Sequence, residues 1–166
     1  MAATGAPRVA TIGVYGFDAS SFLGALREAG VTLVLDVRQR RGVRGREYSW
    51  ANSLRLQALL AQAEVGYQHL PQLAPTTQLR ALQYAADDRA GVGKRSRVAL
   101  APEYTEGYTR EILDVADLDA VAALLPAEGL AALLCVERDP QACHRSIVAA
   151  ALAREYGARV VDIVPR

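Results

Sequence analysis

Lysine is almost absent from this chain of 166 residues: Lys94 is the only one, and arginine supplies the rest of the nineteen basic side chains. Cysteine occurs twice, phenylalanine twice, and methionine and tryptophan once each. Two cysteines in a chain of this length exclude a disulfide scaffold. No uninterrupted apolar run approaches the roughly 20 residues that a membrane-spanning helix needs. Met1–Pro7 also lack the charged-then-apolar layout of a signal peptide. These absences lead to the expectation of a soluble, cytoplasmic protein with no membrane partner. There is no low-complexity tract, internal repeat or Ser/Gly linker, so residues 1–166 read as one domain. Net charge is scarce too, at +1, while 51% hydrophobic and 22% charged residues exclude a disordered chain. A GC-rich genome accounts for arginine replacing lysine. The informative question is therefore where the arginines fall.

Five short apolar, β-branched runs are present: Val9–Val14, Val31–Val37, Val65–Leu70, Leu130–Val136 and Arg159–Val164. The second and fourth are nearly continuous, as expected for central parallel strands covered on both faces. Helical patterns lie between them. Phe17-Asp18-Ala19-Ser20-Ser21 offers N-caps before Phe22 and Leu26, with Gly30 as the stop. Asn52 or Ser53 caps a segment carrying Leu56, Leu59, Leu60 and Ala63, ended by Gly66. Thr77–Asp88 and Glu103–Leu113 read as helical, Gly91–Leu100 as loop or short strand, and Asp117 as the cap of a further helix. A last helix is expected to start near Asp139-Pro140 and run to Gly157. The alternation predicts an α/β fold: a single domain with a mainly parallel sheet of about five strands and helices on both faces.

In such sheets ligands bind beyond the carboxyl ends of the strands, so the residues that follow each run are the candidates. The densest group is Cys135-Val-Glu137-Arg-Asp139-Pro-Gln-Ala-Cys143-His144-Arg145-Ser146. A strand delivers a thiol and a carboxylate, and a helix start then carries Cys, His and Arg. The helix field favours an anion there, and Arg145 adds a bidentate contact to phosphate or carboxylate. The same field would lower the pKa of Cys135 or Cys143. In the cysteine phosphatase loop an arginine follows the cysteine after five intervening residues; counted from Cys135, that position is Gln141. Phosphatase chemistry is thereby disfavoured. Cys135, Cys143 and His144, with Glu137, Asp139 or His69 as a fourth donor, also make a zinc set. Against it, adjacent Cys143 and His144 would point apart on a helix and no C-x-x-C pair is present, so packed structural thiols are the plainer reading.

The second group is residues 38–52, Arg38-Gln-Arg40-Arg41-Gly42-Val-Arg44-Gly45-Arg46-Glu-Tyr48-Ser-Trp50-Ala-Asn52. Five arginines in nine residues, followed by a tyrosine and the only tryptophan, suit a platform that grips phosphates and stacks on bases. Lys94-Arg95-Ser-Arg97 extends the basic surface. The plainer alternative is a solvated loop tied down by Glu47 and other acids. Gly13-Val-Tyr15-Gly16 is not a dinucleotide fingerprint, and no cofactor is expected. Asp36 beside Arg38 reads as a strand-end salt bridge or as a general base. Tyr104 and Tyr108, four apart on one helical face, read as packing.

Taken together, Thr11-Ile12-Gly13, Leu35-Asp36-Val37-Arg38, Tyr67-Gln68-His69-Leu70-Pro71-Gln72-Leu73 and the segment with Cys135, Glu137, Pro140, Cys143, His144, Arg145 and Ser146 resemble the bacterial and archaeal family catalogued as domain of unknown function 488. Many members read T-I-G-H-S at the first strand, where this chain has Val14-Tyr15. The resemblance implies an α/β domain with a polar site at the strand ends.

Three functions follow from the residues. The first is an enzyme, hydrolytic, acting on nucleic acid (DNA foremost) or a nucleotide-like phosphorylated substrate, for example by base excision. Arg38, Arg40, Arg41, Arg44, Arg46 and Arg145 then form the anion-binding set. Tyr48 or Trp50 would stack, Asp36 or Glu137 would activate water, and His69 or His144 would move the proton. The second is a nucleic-acid-binding module without turnover. The third is a cysteine-dependent enzyme on a small anionic substrate.

Overall fold

The computed structural model describes residues 5–166; Met1–Thr4, part of the N-terminal segment considered above, lie outside the described residues. The five apolar runs are five strands: β1 (Arg8–Ile12), β2 (Val31–Asp36), β3 (Gly66–His69), β4 (Leu130–Leu134) and β5 (Arg159–Ile163). They form one parallel sheet in the order β3-β2-β4-β1-β5. The helices are α1 (Ala19–Ala29), α2 (Ser53–Gln62), α3 (Thr77–Ala90), α4 (Pro102–Tyr108), α5 (Leu118–Ala123) and α6 (Arg145–Tyr156). Gly91–Leu100 is loop. A turn of π-helix, Thr109–Leu113, continues α4.

Side-chain alternation along β4 shows how the sheet serves two cores. Leu130, Ala132, Leu134 and Val136 face one layer, where Phe22 and Leu26 of α1 and Leu56 and Leu60 of α2 pack. Ala131, Leu133 and Cys135 face the other, with Leu79 of α3, Tyr104 and Tyr108 of α4 and Val148 and Leu152 of α6. Every residue of β4 is buried, which explains why its sequence is a continuous apolar run. The result is a three-layer α/β/α sandwich with helices on both faces.

Local signals placed most ends correctly. Asp18 caps α1 in a reciprocal capping box with Ser21, and Gly30 ends the helix in the left-handed conformation. Asn52 occupies the cap position of α2, but its Oδ1 accepts from Val43 N instead of from the helix. The same helix stops at Ala63 with Glu64 at positive φ, so Gly66 is strand, not stop. The start of α6 also differs from expectation. Pro140 opens a short 3-10 turn, Pro140–Ala142, Cys143 is extended at φ −143° and ψ 149°, and the helix proper begins at Arg145. Proline at a first helical position fits a 3-10 turn as readily as an α-helix.

The carboxyl ends of β1 and β4 are stitched together where the chain leaves the sheet. Val14 N and Tyr15 N both donate to Val136 O, and Val37 N of the β2 end donates to Leu134 O. Gly13 is pressed so closely beneath the next carbonyl that a Cβ there would stand 2.0 Å from Glu137 O. No side chain fits without moving that backbone. Gly13→Ala is therefore expected to cost at least about 1–3 kcal/mol by denaturant unfolding, more than an exposed Gly5→Ala control. Equal losses at the two positions would refute this close-packing account.

Candidate active site

Beyond the ends of β2 and β4 lies a cleft of about 480 Å³, counting the space open at its mouth. Its floor holds Cys135, Glu137, Cys143 and His144, and its rim holds Arg40, Arg80, Lys94 and Tyr84. Cys135 follows β4 on the α6 face. Asp139 is extended, as expected of a residue before proline, and the Pro140 turn then brings the chain back over the strand end. Because Cys143 is extended and not helical, its side chain and that of His144 do not diverge as two successive helical residues would. His144 Nδ1 lies 3.7 Å from Cys135 Sγ and 3.6 Å from Cys143 Sγ. The ligand-type atoms of the three residues all fall within 4.8 Å of one another. Sequence spacing had argued against this convergence, and the 3-10 turn is the reason it occurs.

The imidazole orientation is fixed from behind. His144 Nε2 lies 2.7 Å from Val37 O, and a carbonyl only accepts, so Nε2 carries a proton and Nδ1 faces the sulfurs. Tyr108 packs its ring 5.4 Å from the imidazole and donates its hydroxyl to Leu73 O. Tyr104 stacks on Tyr108 and also lines the cleft, so the tyrosine pair is packing that shapes the floor. Glu137 Oε2 is 3.5 Å from Cys135 Sγ, while Oε1 is 3.6 Å from Arg97 Nη1 and 3.9 Å from Lys94 Nζ.

Burial sets the electrostatics. It pushes the Cys135 thiol well above the ordinary thiol range, and neighbouring Cys143 and Glu137 add to the effect. Burial also opposes ionisation of Cys143, but the hydrogen bond with Cys135 and the charges of His144 and Arg145 outweigh it and hold that thiol well below its usual range. Burial disfavours a charged His144, yet Cys143 raises its pKa. Both shifts favour charge separation between Cys143 Sγ and His144 Nδ1, which stand 3.6 Å apart. Burial raises the Glu137 carboxyl, partly offset by Lys94 and Arg97.

The remaining sequence candidates separate into those that reach the cleft and those that do not. Asp36 is fully buried, and its carboxylate takes Arg38 Nε and Nη2 at 2.9 and 2.8 Å and the Tyr67 hydroxyl at 2.6 Å. Arg38 donates its remaining arm to Ala51 O. This is the salt-bridge alternative, not a general base beside a phosphate grip. His69 Nε2 pairs with Arg38 O on the β3 side, and His69 does not line the cleft. Arg145 is fully buried and donates to Glu137 O at 2.7 Å and Arg138 O at 3.1 Å. It braces the loop and is not open to an anion.

The arginine loop shows the same division. Trp50 turns inward, 4.8 Å from Phe22, with its indole nitrogen buried. Tyr48 packs on Tyr15, and the Arg95 guanidinium lies over both rings at 5.3 and 5.2 Å. The expected base-stacking platform is thus occupied by protein. Arg41 is half-buried with Nη1 at 3.4 Å from the Tyr67 hydroxyl. Arg40 and Arg44 are exposed and line a groove continuous with the cleft through Arg80, Tyr84 and Lys94; Arg46 is exposed on the loop. Arg80 and Tyr84 were not foreseen. Their spacing of four on α3 is the one sequence signal, and the Arg80 Nη2 hydrogen bond to the Tyr84 hydroxyl, 2.7 Å, realises it.

A parallel three-layer sandwich with a polar cleft at its strand ends is a widely used enzyme scaffold. The family described as Domain of unknown function DUF488 matches residues 18–152, and the chain belongs to that family. The match spans α1 to α6 closely and includes every cleft residue named above, while β1 with its Thr11-Ile12-Gly13, and β5, flank it. No curated protein and no solved structure matches the chain. Among the described residues, no helix is long and apolar enough to cross a membrane.

The buried Asp36–Arg38 pair gives a direct test of role. Removing one partner leaves an uncompensated buried charge, so Asp36→Ala is expected to cost roughly 3–5 kcal/mol of unfolding free energy. A loss under about 1 kcal/mol would show that the pair does not hold the β2 end.

Proposed function

We propose that the protein is a hydrolytic enzyme acting on a phosphate-bearing substrate, a nucleotide or a nucleic acid such as DNA. One observation carries the reading: Glu137 and His144 lie together on the floor of a single cleft beneath Arg40, Arg80 and Lys94. The rim cations favour phosphate, and Arg40 and Arg44 continue the basic track into the neighbouring groove, as a polyanion would require. In this reading Glu137 takes a proton from water, and His144 holds the floor in register through Val37. The inward packing of Tyr48 and Trp50 shifts recognition from base stacking to phosphate contact. Tyr84, beside Arg80 at the mouth, is the ring best placed to touch a base or sugar.

A second reading is favoured by the 3.6 Å approach of Cys143 Sγ to His144 Nδ1, which suits a nucleophilic thiol acting on a small anion. It predicts rapid alkylation of Cys143 at neutral pH, with protection by the substrate.

The test is turnover of a panel of nucleotides and of damaged and intact oligonucleotides. Glu137→Gln is expected to lower kcat by roughly 10²–10⁴-fold and to leave binding in place. Arg40→Ala and Arg80→Ala should each reduce the salt slope of binding by about 1. Binding without turnover on the whole panel would favour the non-catalytic module; absence of both would remove the nucleic-acid reading.

A further inference from the structure

Two sulfur–nitrogen separations at the cleft floor match those that a tetrahedral metal centre imposes. With Zn–S bonds of about 2.3 Å and Zn–N bonds of about 2.0–2.1 Å, a tetrahedral ion holds a sulfur and a nitrogen roughly 3.5–3.6 Å apart and two sulfurs about 3.8 Å apart. The two sulfur-to-nitrogen separations here are 3.7 and 3.6 Å, and no pair in the group exceeds 4.8 Å. We propose that Cys135 Sγ, Cys143 Sγ and His144 Nδ1 bind one Zn²⁺ ion at the floor of the cleft.

Three further features support it independently of these distances. First, the His144 Nε2–H donates to a backbone carbonyl, the arrangement that aims the other ring nitrogen at a metal and fixes its orientation. Second, the three side chains come from two segments, the β4 end and the start of α6, which are locked together. Arg145 binds the carbonyls of Glu137 and Arg138, and Ser146 Oγ binds Cys143 O. The donors therefore need little rearrangement to close on an ion. Third, two thiolates cancel the ion's double charge, so a neutral unit results at a buried position where a bare dication would be unstable.

Cys143 and His144 read equally as a thiolate–imidazolium pair without metal, and the two possibilities differ in Cys135. A nucleophilic pair needs only Cys143 and His144. The metal site needs all three, and in it Cys135 Sγ would exchange its hydrogen bond to Glu137 Oε2 for a bond to the ion. The donor set is two sulfurs and one nitrogen, which suits zinc over the hard oxygen-seeking cations. Three protein donors leave a fourth position, and Glu137 stands at its edge through the 3.5 Å contact with Cys135 Sγ. Any part the ion plays in hydrolysis, by acidifying a water there whose proton Glu137 receives, rests on the proposed function; the binding of the ion does not.

The experiment reads metal, not turnover. The purified chain of 166 residues, reduced and dialysed against Zn²⁺ and then against metal-free buffer, should retain about one zinc per chain by elemental analysis. Replacement by Co²⁺ should give intense tetrahedral visible bands together with a near-ultraviolet thiolate-to-cobalt band. Cys135→Ser, Cys143→Ser and His144→Ala should each weaken affinity at least tenfold, and Glu137→Gln should keep the cobalt thiolate band. Because the unsubstituted chain is read first, a variant that fails to fold does not rescue the proposal. No retained zinc and no thiolate band in that chain would overturn it, as would full zinc affinity in Cys135→Ser. Zinc retained by a chain that turns over no phosphorylated substrate would leave the metal site standing and remove the hydrolytic reading alone.

Discussion

A fully buried arginine holds the working end of this protein together. Arg145 is 0% exposed and spends two of its nitrogens on the carbonyls of Glu137 and Arg138. Burying a guanidinium is costly unless its donors are satisfied and its charge is balanced. Carbonyl dipoles meet the first requirement for the two terminal nitrogens, while Nε is buried without a hydrogen-bond partner among the described residues; Cys143, whose ionisation the arginine favours, contributes to the second. Gly13 makes the geometry possible, because the Glu137 carbonyl sits where a β-carbon would be and the Arg145 guanidinium lies 3.3 Å from that position. Strand end, loop and helix start are thus clamped at one carbonyl. The position of Glu137 at the cleft floor follows from that clamp.

The same use of buried charge recurs around the site. Arg38 and Asp36 close the end of β2, and the Arg38 carbonyl in turn receives His69. Arg97, 7% exposed, pairs with Asp87 of α3 and reaches Ala142 O in the Pro140 turn, tying helix and turn across the cleft. An arginine can do this because its planar fork satisfies several acceptors at once, which a lysine ammonium does with far less directional definition. The scarcity of lysine therefore has a structural counterpart here, whatever its genomic origin. Three of the eighteen arginines are internal struts, and the one lysine stands at the cleft rim, where flexibility is harmless.

Much of the fold was legible because it depends on patterns that repeat. Continuous apolar runs marked β2 and β4, and Asp18, Gly30 and Asp117 marked helix ends by mechanisms confined to a few neighbouring residues. The site was legible in outline only. Strand-end position nominated Glu137, His144 and the two cysteines, which line the cleft floor, and equally nominated Arg38, His69 and Arg145, whose polar groups are taken up by backbone carbonyls and Asp36. Asp36 beside Arg38 is the one local signal of an inward turn; nothing local separates the other cases. Whether a guanidinium faces solvent is decided by acceptors far away in sequence, such as Ala51 O for Arg38. Trp50 failed for the same reason: its partner Phe22 belongs to α1, brought over by the crossover from β1 to β2. Cys143 and His144 were misjudged on a single local assumption, that Pro140 begins an α-helix. Two successive side chains diverge on a helix but not across an extended residue followed by a helix cap.

The near-zero net charge conceals how the cleft is polarised. Arg38 is neutralised by Asp36, and Arg97 is shared between Asp87 and Glu137. Lys94 lies 3.9 Å from Glu137 and is partly committed. Arg40 and Arg80 remain, and Arg80 is oriented by neutral partners, Gln39 and Tyr84, not by an acid. Among the described residues neither side chain makes a salt bridge, and both line the cleft above a floor where burial opposes ionisation of Cys135 and Cys143 faces His144. A phosphate entering the mouth would meet positive charge at the rim and a near-neutral floor. On the proposed function it would be held high in the cleft, leaving the space beside Glu137 free for a reacting atom.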